Sequence, residues 1–196
     1  MTNSKSVDRR TLRTRRALRD ALLSLLVEKG WDDLSVQDLC DRADIGRSTF
    51  YLHFPSKEEL LKGSLDDLRG ALNALTDEVG KTKPVRPLAF VHGLLDHIHE
   101  QRQLCRSIFG RRSAHTVQVR FREMVTKLVA DNIAALAPAG WTRDAAVHYL
   151  AGALVEMLSW WIDSRPMRPI DEIEQLYLRL AEPALAELTR GDSRLG

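Results

Sequence analysis

The segment Leu34–Leu60 has the sequence LSVQDLCDRADIGRSTFYLHFPSKEEL, whose pattern predicts two short helices joined by a tight turn and the start of a third helix. Apolar residues on one side favour a first helix over Val36–Ala43, with Ser35 as its N-cap and Asp38 completing an imperfect capping box. The turn that follows, residues 44–46, ends in a glycine, which lets the chain reverse where a side chain would crowd it. The segment therefore predicts a helix-turn-helix.

The second helix, predicted over Arg47–His53, is expected to bury one face and leave the other free. Phe50 and Phe54 are four residues apart and share a face, which makes them core anchors. Ser48 and Leu52 then point outward, and Leu52 could contact a thymine methyl group in a DNA major groove. This pattern is typical of a DNA-recognition helix.

Lys57 begins the third helix, beside the acidic residues Glu58 and Glu59. Pro55 is expected to end the recognition helix, and Ser56 to cap the helix that follows. A cation at a helix N-terminus opposes the helix dipole, which suggests a phosphate bound between the two. A solvated lysine is the alternative interpretation.

The run Ser35–Leu60 resembles the DNA-binding domain of the tetracycline-repressor (TetR) family of transcriptional regulators. That family's pattern ends Thr-Phe-Tyr-x-His-Phe-x-x-Lys-x-x-Leu, and residues 49–60 here read TFYLHFPSKEEL. Gly30-Trp31 also matches the family's Gly-Trp after the first helix. Two positions depart from the pattern, because Asp44 and Gly46 stand where glycine and serine are more common.

The resemblance implies which residues contact DNA. Arg47 and Ser48 begin the recognition helix, the end that usually reaches base edges, and arginine can pair with guanine through two hydrogen bonds. Tyr51, His53 and Lys57 match positions that mostly hold phosphates. The full expected set is Ser35, Gln37, Arg47, Ser48, Thr49, Tyr51, Leu52, His53 and Lys57, with Arg10 and Arg13.

Positive charge is concentrated at the start of the chain. The first nineteen residues hold one acid, Asp8, against seven basic residues, namely Lys5, Arg9, Arg10, Arg13, Arg15, Arg16 and Arg19. Such a block predicts an arm that contacts phosphates, although a solvated helix face is the alternative.

The composition of the 196 residues, 44% hydrophobic and 29% charged, is ordinary for a soluble globular protein. The N-terminus is polar, and no run of eighteen uninterrupted apolar residues occurs, so we expect a cytoplasmic protein without a membrane partner. Cys40 and Cys105 are expected to be buried apolar residues, with a redox role for Cys105 left open.

Helical periodicity covers nearly all of the chain and predicts an all-α fold. We expect an N-terminal helix-turn-helix domain over residues 1–55, with 1–7 disordered, and a larger ligand-binding and dimerisation domain over 56–196. The predicted helices outside the motif cover residues 8–29, 56–79, 88–101, 102–109, 114–136, 142–163 and 170–188, with a linker at 80–87. Trp31 is expected in the core, and Pro183 should kink the last helix or end it early.

The last two helices have more apolar surface than one core needs, which favours a homodimer. Small residues suit close helix crossings, and large apolar residues add area. In the resembled family, these helices form a four-helix bundle across a two-fold axis. The residues concerned are Ala145, Ala146, Ala151, Gly152 and Ala153, with Leu150, Leu154, Met157, Leu158, Trp160 and Trp161.

Catalytic motifs are absent from the sequence, so an enzyme is not expected, and neither is a cofactor. His92, Asp96 and His99 share a helix face and could hold a metal, but ordinary histidines on a half-buried helix are the favoured interpretation, so no metal site is expected. A ligand cavity between helices is favoured instead. Its expected lining is Phe90, Leu94, Phe109, Phe121, Met124, Tyr149, Met157 and Trp160.

Together these features predict a homodimeric repressor that binds a palindromic operator in double-stranded DNA and is released by a small apolar effector. One alternative is a helical regulator or adaptor that answers to a partner protein instead. A helical enzyme is the alternative from a different class.

Overall fold

A computed structural model of the chain describes residues 3–80, 86–110 and 115–190, and all regular structure within these ranges is helical. The predicted all-α fold is therefore confirmed. The helices in chain order are α1 (Asn3–Glu28), α2 (Val36–Ala43), α3 (Arg47–His53), α4 (Lys57–Gly80), α5 (Phe90–Glu100), α6 (Arg102–Gly110), α7 (His115–Ile133), α8 (Trp141–Asp163) and α9 (Ile170–Arg190). Most of the predicted linker, residues 81–85, lies outside the described residues.

The first helix begins earlier than the sequence predicts. It starts at Asn3, so residues 3–7, which we expected to be disordered, are helical. Residues 1–2 lie outside the described part of the chain. At its other end, Gly30 has a φ of 83°, a left-handed conformation that glycine adopts without strain and that lets the chain leave α1.

Contacts between Cα atoms divide the chain into two compact units. Unit 1 consists of Met1–Asp67 and Gln103–Arg120, and unit 2 of Leu68–Arg102 and Phe121–Gly196. The core of unit 1 takes in Leu60 and Leu61 from α4 and Val117 from α7. These units therefore differ from the predicted domains 1–55 and 56–196. The predicted assignment of DNA binding to the first domain and of regulation to the second stays a prediction.

Unit 1 builds its core from the apolar residues that the sequence singles out. Leu18 and Leu22 of α1, Leu39 of α2 and Phe50 of α3 have no measurable exposure, and Trp31 is 4% exposed. Burial of side chains of this size is the main force that holds short helices such as α2 and α3 in place.

Unit 2 contains α5, α8 and α9, with the later parts of α4 and α7, and has its own core. Trp161 is fully buried on α8, and its indole Nε1 donates to the Arg168 carbonyl at 2.9 Å. The Tyr177 hydroxyl of α9 donates to the Leu150 carbonyl of α8 at 3.0 Å. These bonds satisfy the polar atoms of two buried aromatic residues and join α8 to the segment that follows it.

Pro183 was expected to kink the last helix or to end it early, and the second alternative is wrong, whereas the kink stays a prediction. α9 continues through Pro183 to Arg190. Proline removes the hydrogen bond to the carbonyl four residues earlier, here that of Arg179, and both residues are exposed to solvent. The helix can continue because packing of its other face, through Ile173, Tyr177, Ala181 and Leu188, holds it in place.

Among the described helices, α8 alone has the length and mean hydropathy, 1.2, of a membrane-spanning helix. Core helices of globular proteins also pass this test, and 44% of the apolar stretch is buried within the structure. The helix is therefore weak evidence for a membrane span.

Candidate nucleic-acid interface

The outward face of α3 is open to solvent, as the sequence predicts. Leu52 is 83% exposed and Tyr51 49% exposed, whereas Phe50 is fully buried. Arg47 and Ser48 are exposed at the start of the helix. The structure thus presents polar, aromatic and aliphatic side chains on one surface, where base edges and phosphates could contact them.

Aromatic contacts join Phe50 of α3 to its neighbours Tyr51 and Phe54, and Arg15 links this cluster to α1. The Phe50 and Phe54 ring centroids are 6.3 Å apart, and Tyr51 meets Phe50 edge to face at 5.4 Å. The Arg15 guanidinium of α1 lies 5.1 Å from the Phe54 ring centroid, a cation–π distance. Gly46 offers no side-chain cap, so these contacts position the helix.

The turn between α2 and α3 uses a left-handed residue where the resembled family has glycine. Asp44 has φ 52° and ψ 51°, and its N–H bonds to the last carbonyls of α2. Aspartate tolerates this conformation better than most residues. Ile45 packs against the core of unit 1, and its N–H donates to the Cys40 carbonyl at 3.0 Å.

Ion pairs connect α2 to α1. Arg42 donates through both terminal nitrogens to Glu28, at 2.8 and 2.6 Å, and also to the Ser24 hydroxyl at 2.8 Å. The bond from Arg42 lowers the pKa of Glu28 below its ordinary value. This two-pronged contact fixes the orientation of α2 on the outside of unit 1.

The cap of α2 is a complete capping box rather than an imperfect one. The Asp38 N–H donates to Ser35 Oγ at 3.1 Å, and the Ser35 N–H donates to Asp38 Oδ2 at 2.9 Å. Lys29 also pairs with Asp38. Both Ser35 and the nearby Gln37, which donates to Asp41 at 2.6 Å, already have partners, so DNA contacts by either would compete with these bonds.

Lys57 occupies a position that neither sequence interpretation anticipates. Its Nζ donates to the carbonyls of Trp31 at 3.0 Å and Leu34 at 2.7 Å, and it lies 4.6 Å from the Trp31 ring centroid. The interpretation of a freely solvated lysine is wrong. Its positive charge is satisfied by two carbonyl dipoles and an aromatic face, so Lys57 holds the corner after α1 against α4.

The basic residues of α1 divide into two groups. Arg15 stacks on Phe54, and Arg19 pairs with Asp67, so both have roles within unit 1. Arg10 and Arg13, the two predicted DNA contacts, are exposed. The remaining predicted contacts, Thr49 and His53, are half-buried on the flank of α3.

The predicted ligand-lining residues do not form one group. Phe90, Leu94, Phe121 and Met124 are buried in unit 2, each with 9% exposure or less, whereas Phe109 is half-buried in unit 1. Tyr149, Met157 and Trp160 line a groove of about 370 Å³ on α8 and α9, together with Leu176 and Leu180. The predicted lining residues therefore do not surround one cavity: some are buried in the core, and others lie on an exposed face of α8.

Both cysteines are free and buried. Burial raises the pKa of the Cys105 thiol to about 12. A reactive thiolate needs a lowered pKa and exposure, so this environment does not favour the redox role left open for Cys105.

Sequence reasoning missed one group of polar residues in unit 2. His92 of α5 lies beside Asp171 and Glu174 of α9. The sequence showed Asp171 and Glu174 three residues apart at the start of a helix, but their approach to His92 depends on how α5 and α9 pack.

An exposed recognition helix, carried on a three-helix core with a basic first helix, defines a DNA-binding protein of the helix-turn-helix class. Residues 18–63 match the family described as bacterial regulatory proteins, tetR family. Residues 86–182 match the family described as transcriptional regulator C-terminal region. The chain belongs to the TetR family of transcriptional regulators, whose members are not enzymes.

Individual relatives agree with this assignment. The chain is 44% identical over 59 residues to the uncharacterized HTH-type transcriptional regulator YxbF of Bacillus subtilis (strain 168), covering 30% of this chain and 16% of that protein. It is 29% identical over 92 residues to the HTH-type transcriptional repressor KstR of Mycobacterium tuberculosis (strain ATCC 25618 / H37Rv), covering 46% of this chain and 42% of KstR. The matched segments thus span less than half of these curated relatives.

A solved structure matches nearly the whole fold. The crystal structure of a TetR transcriptional regulator from Streptococcus agalactiae 2603V has a TM-score of 0.64 and 25% sequence identity, covering 91% of this chain and 99% of that chain. The likeness includes the region beyond the helix-turn-helix.

Proposed function

We propose that the protein is a homodimeric repressor that binds a pseudo-palindromic operator through α3 and is released by a small apolar effector. The observation that carries this proposal is the outward face of α3, where Arg47, Ser48 and Leu52 are all exposed. Nothing in the described part of the chain covers Leu52, whereas a thymine methyl group would.

A dimer would provide the affinity that one short helix lacks. α3 has seven residues, too few to bury much DNA surface alone. Tyr149, Trp160 and Leu180 are 59%, 56% and 61% exposed on α8 and α9, and a second copy of this face would remove them from water. A two-fold dimer reads a two-fold site, so the operator should be an inverted repeat with half-sites about one helical turn or slightly more apart.

Release requires an effector that distinguishes the conformation of the dimer that fits the operator from a conformation that does not. A ligand that binds both states equally shifts nothing, so the effector must prefer the state in which the two α3 helices no longer fit successive major grooves. The aromatic and aliphatic residues of unit 2 favour an apolar effector. A repressor of this kind acts where the DNA is, so we assign the protein to the cytoplasm.

Selection from random double-stranded DNA tests this proposal. Purified full-length protein should enrich an inverted repeat, and the Leu52→Ser variant should lose preference at one thymine position in each half-site. Enrichment of sequences without inverted symmetry would contradict the proposal that a two-fold dimer binds the DNA. No enrichment at all would favour the alternative, an adaptor or regulator controlled by a partner protein.

A further inference from the structure

α5 and α9 bring four ionisable side chains together in unit 2. His92 and Asp96 lie one turn apart on α5, and Asp171 and Glu174 lie on the first turns of α9. His92 Nδ1 is 2.8 Å from Glu174 Oε2, and His92 Nε2 is 3.4 Å from Asp96 Oδ2. The imidazole is therefore held between carboxylates from two helices.

We propose that His92, Asp171 and Glu174 form a binding site for a divalent transition-metal cation such as Zn²⁺ or Co²⁺. Each residue offers one ligand atom, and these atoms all lie within 4.8 Å of one another. In a tetrahedral site with ligands at about 2.0–2.2 Å from the metal, two ligand atoms lie roughly 3.3–3.6 Å apart, so side-chain rotations that bring the farthest atoms about 1 Å closer would close the site. The imidazole ligand favours these metals over Mg²⁺ or Ca²⁺, which prefer oxygen ligands alone.

Asp96 supplies the support that metal-binding histidines usually have. Such histidines generally donate their second ring N–H to a carboxylate, which fixes the tautomer and the orientation of the ring. Asp96 Oδ2 faces Nε2 in this way, leaving Nδ1 toward α9. This arrangement of carboxylate, imidazole and further carboxylates distinguishes the group from a simple cluster of surface acids.

The charge and the space around the group also suit a cation. Three carboxylates, those of Asp96, Asp171 and Glu174, surround His92. Arg168 lines the same cavity but pairs with Glu172, outside the group, at 3.9 Å. The carboxylates of Asp96, Asp171 and Glu174 make this surface of α5 and α9 negative, which attracts a cation.

An open cavity of about 490 Å³ adjoins the group and is lined by His92, Asp96, His99, Arg168 and Asp171, among others. The His92 and Glu174 side chains are 48% and 24% exposed, so water can reach the ion and complete its coordination. A bound metal would add a further link between the start of α9 and α5, which already contact each other through the His92–Glu174 pair.

Cobalt binding to the full-length, untagged protein tests the site directly and needs no DNA, so the result is independent of the proposed function. Titration with Co²⁺ should reach one ion per chain, measured by calorimetry and by the visible absorption of nitrogen- and oxygen-ligated cobalt. His92→Ala and Asp171→Asn should each weaken binding about tenfold or more, the scale on which loss of even an outer partner acts.

Matched controls are His148→Ala on α8 and Glu172→Gln on α9, which remove an exposed histidine and an exposed acid outside the group. Both should bind Co²⁺ like the unaltered protein. Equal affinity in His92→Ala, or no binding tighter than about 1 mM in the unaltered protein, would overturn the proposal. If His92→Ala fails to fold by circular dichroism, Asp171→Asn decides, because it preserves shape and removes only a charge.

Discussion

Arg47 and Leu52 take different parts in the proposed reading of DNA. Arg47 is an exposed cation at the start of α3, and its Nη2 lies 3.5 Å from the Tyr51 hydroxyl, which orients the guanidinium. Leu52 is 83% exposed and has no polar atom, so it can respond only to shape and to methyl groups. Hydrogen bonding and apolar contact would therefore specify different base pairs.

Arg47→Ala should cost about 1–3 kcal/mol of binding free energy on the operator and relax the preference at one base position in each half-site. The physical reason is the loss of a paired contact to a guanine edge. Binding of variant and unaltered protein to operator and scrambled DNA, at several salt concentrations, measures this effect. Arg190→Ala, which removes an exposed arginine at the end of α9, is the control and should leave both affinities unchanged. Equal weakening on operator and scrambled DNA would instead assign Arg47 to a phosphate.

Lys57 joins the corner after α1 to α4 through two carbonyls and the Trp31 ring. Lys57→Met keeps the aliphatic stem but leaves the carbonyls of Trp31 and Leu34 without this donor. We expect a loss of about 1–3 kcal/mol in the free energy of unfolding, measured by urea denaturation.

The control for Lys57→Met is Lys62→Met, because the Lys62 side chain is 50% exposed and its nearest acid, Glu59, is 3.6 Å away. Lys62→Met should alter the free energy of unfolding by no more than about 0.5 kcal/mol. If Lys57 also reaches a phosphate, its loss lowers the salt slope of DNA binding by about one per contact, or two in a dimer. An unchanged slope with lowered stability would limit Lys57 to its structural role.

At the scale of single elements, α2 shows how local bonds stabilise a helix of eight residues. The pKa of Asp38 lies well below its ordinary value because its carboxylate accepts hydrogen bonds from Lys29 and from Ser35. A carboxylate with a lowered pKa stabilises the folded state above its unfolded pKa, near 4, and this stabilisation is lost as the pH falls below that value.

Asp38→Asn should therefore reduce the urea midpoint at about pH 7 and have progressively less effect toward about pH 3, because below about pH 4 the carboxyl binds a proton in the unfolded state while the folded state still keeps it ionised. The urea midpoints of Asp38→Asn and of the unaltered protein, measured across this pH range, test the prediction. Asp33→Asn removes an exposed acid outside the capping box and serves as the control. A difference between Asp38→Asn and the unaltered protein that stays constant with pH would show that the charge of Asp38 is not responsible.

For the whole molecule, the α8 and α9 surface determines how the proposed dimer can be tested. Gly152 and Ala153 are two of the small residues of α8 at which a large charged side chain could disrupt the proposed dimer. A Cβ atom at Gly152 would lie 3.7 Å from Arg122 Nη1 of the same chain, so this position reports on internal packing as well. Ala153 is exposed and lines the groove with Trp160, which makes these two residues the better probes.

Ala153→Glu combined with Trp160→Glu should give monomers at micromolar concentration in analytical ultracentrifugation. Two like charges per chain would face their symmetry mates in a buried apolar surface, where unpaired charges are costly. Leu12→Glu places a charge on another exposed apolar residue, 60% exposed on α1, and should leave the dimer intact. A dimer that survives the double change would place the interface elsewhere.

The helix-turn-helix could be predicted from the sequence nearly residue by residue. Val36–Ala43 and Arg47–His53 have the bounds that the spacing indicated, because caps, a turn glycine and apolar periodicity act between residues close in the chain. The exposure of Leu52 and the burial of Phe50 follow from the same periodicity. The exposed face of α3, which we propose contacts DNA, could therefore be predicted from the sequence alone.

The contacts that the sequence did not predict depend on packing between segments that are far apart in the chain. Lys57 and Trp31 are 26 residues apart in the chain, and His92 and Glu174 are 82 apart, so no local pattern indicates that either pair meets. Leu60, Leu61 and Val117 join the core of unit 1, and the apolar face of α9 holds the helix together past Pro183. Local spacing specifies which helices form and which face is apolar, whereas the partner of each face depends on the burial of the whole chain.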